Sequence, residues 1–185
     1  MATVLGIHDY DNLAPDFSAP AIAVKIVELK SFLSQFEAMK PDSLSDQAKI
    51  DLRLIISNIK GRLLMLKDLR EWERNPDMYS ALSSSMIYDL MSRDFAPLPE
   101  RLKSVIAREK KIPGILAAAK VNLKNPPKIY VSIAIEQVTG IIDFFQNSVP
   151  DTFKSVDDKA LLSESTTVHN EVIAALKDYE KFVIE

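Results

Sequence analysis

Residues 72–79 read WERNPDMY, residues 90–97 read LMSRDFAP, residues 101–123 read RLKSVIAREKKIPGILAAAKVNL, and residues 125–130 read NPPKIY. Prolines 76, 97, 99, 113, 126 and 127 cut this block into short segments, each with apolar residues three or four apart. Proline is tolerated in the first turn of a helix and stops one elsewhere, so a proline between periodic segments marks a helix boundary. The block therefore reads as consecutive helices, and no nucleophile, metal or phosphate motif sits in it or beside it.

The same reading extends outward. Residues 1–19 are rich in turn formers, among them Asp9, Asp11, Asn12, Pro15 and Asp16, and form an irregular segment. A first helix begins near Pro20, with Ile22, Ile26, Leu29, Phe32, Leu33 and Phe36 as its stripe, and ends near Met39. The second follows a Ser45 cap, and its stripe of Leu52, Ile55, Ile56, Ile59, Leu63, Leu66 and Leu69 runs on until Asn75-Pro76. Further helices are expected over about 77–93, 99–111, 114–123 and 128–147, the last closed by Pro150. A final one starts near Ser155, with Asp158 as the second half of a capping box, and reaches the end of the chain uncapped. The expectation is an all-α bundle of about seven helices, with 20–185 as one helical domain. A last helix with neither cap nor Gly stop suggests a chain cut from a longer protein.

Composition limits the function. Hydrophobic residues make up 47% and charged residues 26% of the 185, which is ordinary for a globular chain. There is no cysteine, so disulfides and thiolate metal sites are excluded. A net charge of -3 gives no reason to expect nucleic acid. No apolar run approaches the ~20 residues that span a bilayer, and the amino terminus lacks a basic leader. These absences favour a cytoplasmic protein without nucleic-acid or membrane partners.

The candidate chemistry is thin. His8 beside Asp9 and Asp11 has neither the Gly nor the bidentate Glu of a calcium loop; turn formation and side-chain hydrogen bonding account for it. His169 and Glu171 are two apart and so point to different helix faces, which leaves His169 as a capping or surface histidine. Ser83, Ser84 and Ser85 have no base at helical spacing. Trp72, flanked by Arg70 and Arg74, reads as an anchor for a helix end. The one unusual charge pattern is the window 101–128. Arg101, Lys103, Arg108, Lys110, Lys111, Lys120, Lys124 and Lys128 stand there against Glu109 alone, while 143–185 is acidic. These opposed fields can pack on each other, dock on other parts of a parent protein, or bind an anion. Arg101, Lys103, Arg108, Lys110, Lys111, Lys120 and Lys124 are the candidate docking or anion-binding residues; no catalytic, cofactor or metal residue is assigned.

Five pieces in one order carry a resemblance. They are Leu5-Gly6-Ile7-His8-Asp9-Tyr10-Asp11; Arg70-Glu71-Trp72 with Asn75-Pro76 and Tyr79; Arg93-Asp94-Phe95-Ala96-Pro97 with Arg101; Arg108 with Ile112-Pro113 and Leu116; and Ala119 with Asn122-Leu123. Together they resemble the bacterial domain of unknown function 885 family. The resemblance implies a helical protein roughly three times this length, similar to zinc-dependent metallopeptidases, with its His-Glu motif far downstream. On that basis this chain is a non-catalytic amino-terminal region without a cofactor, and zinc belongs to a full-length parent. Its partners are then the downstream domain of the same protein and, through exposed apolar surface, a second copy of itself. The alternative is a free-standing helical binding or scaffolding module that uses the basic 101–128 surface.

Overall fold

The computed structural model describes residues 2–185, and they are all-α, with no strand among them. They form two compact units. One comprises the described residues up to Asp16 together with Glu73–Glu185; the other is Phe17–Trp72. No helix among the described residues is long and apolar enough to cross a membrane.

The unit Phe17–Trp72 is a helical hairpin. Helix α1 (Ala19–Glu37) begins where the Ser18 hydroxyl accepts the Ala21 amide at 3.4 Å, with Pro20 in its first turn. Helix α2 (Asp46–Leu63) is capped in the same way by Ser45, at 3.3 Å from the Ala48 amide. Each cap satisfies one of the amide donors that a helix start leaves without a partner. Leu29, Ile59 and Leu63 form the core, with Ile26, Leu33, Phe36 and Leu66 packed against them. Two helices cannot bury a broad stripe, so Phe32, expected inside, remains half exposed.

The stripe of α2 also ends earlier than its periodicity implies. After Leu63 the helix widens into a π turn (Leu64–Asp68), Leu69 is exposed, and Arg70 takes a positive φ of 52°. The Trp72 indole N–H donates to the Leu66 carbonyl at 2.9 Å, and the Arg70 guanidinium lies over its ring. The wide turn frees a carbonyl, and the indole takes it.

The division between the units falls within α3 (Glu71–Arg74), and the other unit continues through α4 (Asp77–Met91), α5 (Leu98–Glu109), α6 (Ile112–Asn122), α7 (Lys128–Asp143), α8 (Val149–Phe153) and α9 (Lys159–Ile184). Helix α9 packs on α5, α6 and α7, and α4 packs on α5 and α7. Tyr79, Ile87, Leu90, Leu102, Val105, Ile112, Phe145, Val172 and Leu176 are fully buried between them.

Two boundaries differ from expectation. Pro150 does not close the helix after Lys128; a π turn (Phe144–Ser148) comes first, and Pro150 then sits in the opening turn of α8, a position that tolerates proline. The cap of the last helix is Asp158, which accepts the Leu161 amide at 3.0 Å, rather than Ser155; residues before it are used to turn the chain and bury Val156. On α7 the buried face is Ala134, Val138, Ile141 and Ile142, while Ile129 and Ile133 face outward. That segment carries two apolar faces, and packing on α4 and α9 selects one of them.

Candidate functional site

The expected surface histidine is buried. His169 on α9 lies 3.1 Å through Nδ1 from Oε1 of Glu109, which ends α5 and has no exposed surface. Its Nε2 meets the Phe145 carbonyl. That carbonyl lies in the π turn, whose five-residue hydrogen bond would need an N–H from residue 150. Residue 150 is proline, so the carbonyl is left open and Nε2–H fills it. Nε2 is therefore the donor to that carbonyl, which leaves Nδ1 facing Glu109. Oε2 of Glu109 has no hydrogen-bond partner among the described residues.

Burial raises the Glu109 carboxyl above the ordinary carboxylate range, and its hydrogen bond to His169 only partly offsets this. Burial presses His169 the other way, but the hydrogen bond and charge of Glu109 together with the Phe145 carbonyl outweigh it, and the net shift is upward. A folded state whose pKa values are raised binds protons more tightly than the unfolded chain. The stabilisation is present below the unfolded values and is lost as pH rises through the folded ones. For His169 the window opens at the ordinary value of 6.5 and extends upward. Thermal denaturation followed across that window should show the melting temperature falling with pH, and His169→Gln should flatten the fall. Parallel profiles for the two proteins would show that the pair does not govern it.

His169 also lines a cleft of about 400 Å³, together with Val149, Phe153, Leu162, Thr166, Asn170 and Ile173. With both imidazole nitrogens engaged, His169 is neither a free base nor a free metal ligand. Among the described residues no group of three His, Cys, Asp or Glu side chains is placed to hold a metal ion.

Other reactive-looking groups are engaged in internal contacts. Asp11, 4% exposed, accepts from the Thr3 hydroxyl at 2.5 Å and lies 2.8 Å from His8 Nδ1, and the His8 ring stacks on Phe95 at 3.9 Å. Ser83 is fully buried and donates to the Tyr79 carbonyl at 2.9 Å; Ser84 and Ser85 donate to carbonyls one turn back.

The seven candidate residues of the basic window divide into three groups. Arg101 and Arg108, both 5% exposed, belong to no surface and so cannot serve the expected docking role. Arg101 donates to the Met91 and Arg93 carbonyls at 3.0 and 2.8 Å and pairs with Asp94, closing the end of α4. Arg108 clasps the amino-terminal segment. Lys110, Lys120 and Lys124 reach acidic partners: Glu164 at 2.6 Å, Asp178 at 2.5 Å and Glu73 at 3.7 Å. Through Lys110 and Lys120 the opposed fields meet where α5 and α6 pack on α9, while Lys124 pairs with Glu73 of α3. Only Lys103 and Lys111 of the seven are exposed without an ion-pair partner among the described residues. The sequence did hold a signal for the buried groups: Arg101, Arg108 and Glu109 fall at three- and four-residue spacing among Leu102, Val105 and Ile112, on the core stripe itself.

Comparison with curated protein sequences gives no match. Among solved structures, the chain is similar to a protein of unknown function from Shewanella oneidensis that is provisionally described as a lipoprotein. The TM-score is 0.88 at 21% identity, over 98% of this chain and 33% of that one. The likeness shows the fold, and the chain spans about a third of that protein's length. Matched along residues 1–185, the chain belongs to the family of bacterial proteins of unknown function designated DUF885.

Proposed function

We propose that this chain is the non-catalytic amino-terminal helical region of a longer, peptidase-like protein, and that it packs on and shapes a downstream catalytic domain. The observation that carries the reading is the coverage: nearly all of this chain aligns with only 33% of a related fold. The peptidase-like character rests on the family resemblance of the ordered sequence motifs. The use of Ser83, Arg101 and His169 in holding backbone, and of His8 and Asp11 in side-chain hydrogen bonds, supports a structural role. So does an apolar cleft of about 400 Å³ at the end of α9, where Leu123, Pro126, Val131, half-buried Phe182 and exposed Ile184 meet.

The length of the native product tests this directly. An antibody raised to this chain should detect in the source cells a protein about three times its length; a product of 185 residues would overturn the reading. The purified chain should also cleave no peptide, ester or phosphate substrate above background. Turnover lost on changing one Ser or His would remove the non-catalytic assignment.

The cleft at the end of α9 gives a further expected result. The isolated chain should self-associate or bind a hydrophobic dye through it. Ile184→Lys, at a position 61% exposed, should shift sedimentation towards monomer and reduce dye fluorescence at little cost in stability. A monomeric, dye-silent parent chain would remove the cleft as a docking face.

A further inference from the structure

Lys103 and Lys111, the two unpaired members of the seven candidate residues, line the same cleft. It holds about 480 Å³ and lies beside the ion pair of Lys110 and Glu164. Its floor is apolar: Ile106 and Leu161 present nearly buried side chains, Ala107 lies beside them, and Leu13 of the amino-terminal segment forms an exposed apolar wall. The volume is in the range of small-molecule sites. Glu164 is neutralised by Lys110, so the net field in the cleft comes from two ammonium groups free to turn inward on flexible stems.

We propose that this cleft binds a small amphiphilic anion, with a carboxylate or phosphate head between Lys103 and Lys111 and a short apolar body along Leu13, Ile106 and Leu161. The site stands apart from the proposed packing on a downstream domain, which uses the cleft at the end of α9. Removing apolar surface from water supplies the attraction of the body, and the lysine pair supplies the choice of sign. A head group alone would be held weakly, because exposed lysines in high dielectric attract an isolated anion by little and salt screens them.

Calorimetric titration of the 185-residue chain with monomeric decanoate, decyl phosphate, decyltrimethylammonium and inorganic phosphate tests it. Decanoate and decyl phosphate should each saturate one site, and the cation and inorganic phosphate should bind at least about tenfold more weakly. Lys103→Glu combined with Lys111→Glu should weaken decanoate about tenfold or more. Leu13→Asp, at an exposed position that leaves folding intact, should do the same. Vesicles containing phosphatidylglycerol, set against phosphatidylcholine alone, separate the sources. Retention on the anionic vesicles only, lost in the double variant, makes a lipid head group the source; no retention leaves the free anion. Equal affinity for the decyl cation, inorganic phosphate as tight as decyl phosphate, unchanged binding in the variants, or no saturation would each overturn the proposal.

Discussion

Ile59→Asp is expected to unfold the helical hairpin of Phe17–Trp72, while Lys60→Asp, one position along, leaves it folded. Ile59 is 8% exposed and forms the hairpin core with Leu29 and Leu63. Aspartate there removes a branched side chain from a packed site and puts a carboxylate among aliphatic groups that cannot hydrogen-bond it. The cavity alone costs roughly 2–5 kcal/mol, and the unpaired charge adds to it. A unit of two helices has no second core to compensate. Lys60 points outward and pairs with Glu37 at 2.7 Å, both side chains being about half exposed. Losing such a pair is worth about 1 kcal/mol or less. Circular dichroism melting, with limited proteolysis mapping cuts to residues 17–72, separates the two variants. Equal shifts would mean that the buried face of α2 has been misplaced.

Arg108→Met should release the amino-terminal segment and destabilise the unit that contains it by roughly 3–5 kcal/mol, the usual cost of removing one partner of a buried charge pair. The guanidinium donates through Nε to the Asp11 carbonyl at 2.6 Å, through Nη1 to the Met86 carbonyl at 2.5 Å, and through Nη2 to the Thr3 hydroxyl at 2.7 Å. The Asp11 carboxylate lies 3.7 Å away. Burial lowers the Arg108 pKa, while Asp11 and Asp89 oppose that shift and favour the charged form. Methionine fills similar volume but leaves three acceptors without their donor and a buried carboxylate without its cation. Arg108→Lys should rescue little, because one ammonium cannot reach three diverging acceptors in the geometry of a planar fork. Hydrogen exchange should show the amides of residues 2–13 losing protection first. Arg93→Ala removes only an exposed 2.8 Å bond to the Val4 carbonyl and serves as the mild comparison. If Arg108→Met melts like Arg93→Ala, the clasp is not what holds the segment.

The positions of the helices were largely legible in the chain because they depend on local chemistry. Ser18 and Ser45 cap as hydroxyls do, prolines 20, 99 and 113 fall in first turns, and the aliphatic spacing of α2 and α9 marks their inner faces. The ordered motifs were legible too, and they led to the family. The sequence alone could not say which of two apolar faces α7 would bury, since both have helical spacing; neighbouring helices made that choice. Nor could it pair Glu109 with His169 or Arg108 with Asp11, partners 60 and 97 residues apart. A charged residue on a core stripe announces that it needs a partner, but only the folded chain brings one within hydrogen-bond reach. The same holds for the basic window. Its charge was evident from composition, whereas its division into buried clasps, paired lysines and free ammonium groups follows from how the helices of the unit pack. Helix formation depends on residues within a turn or two, but the burial of a charge depends on the whole unit around it.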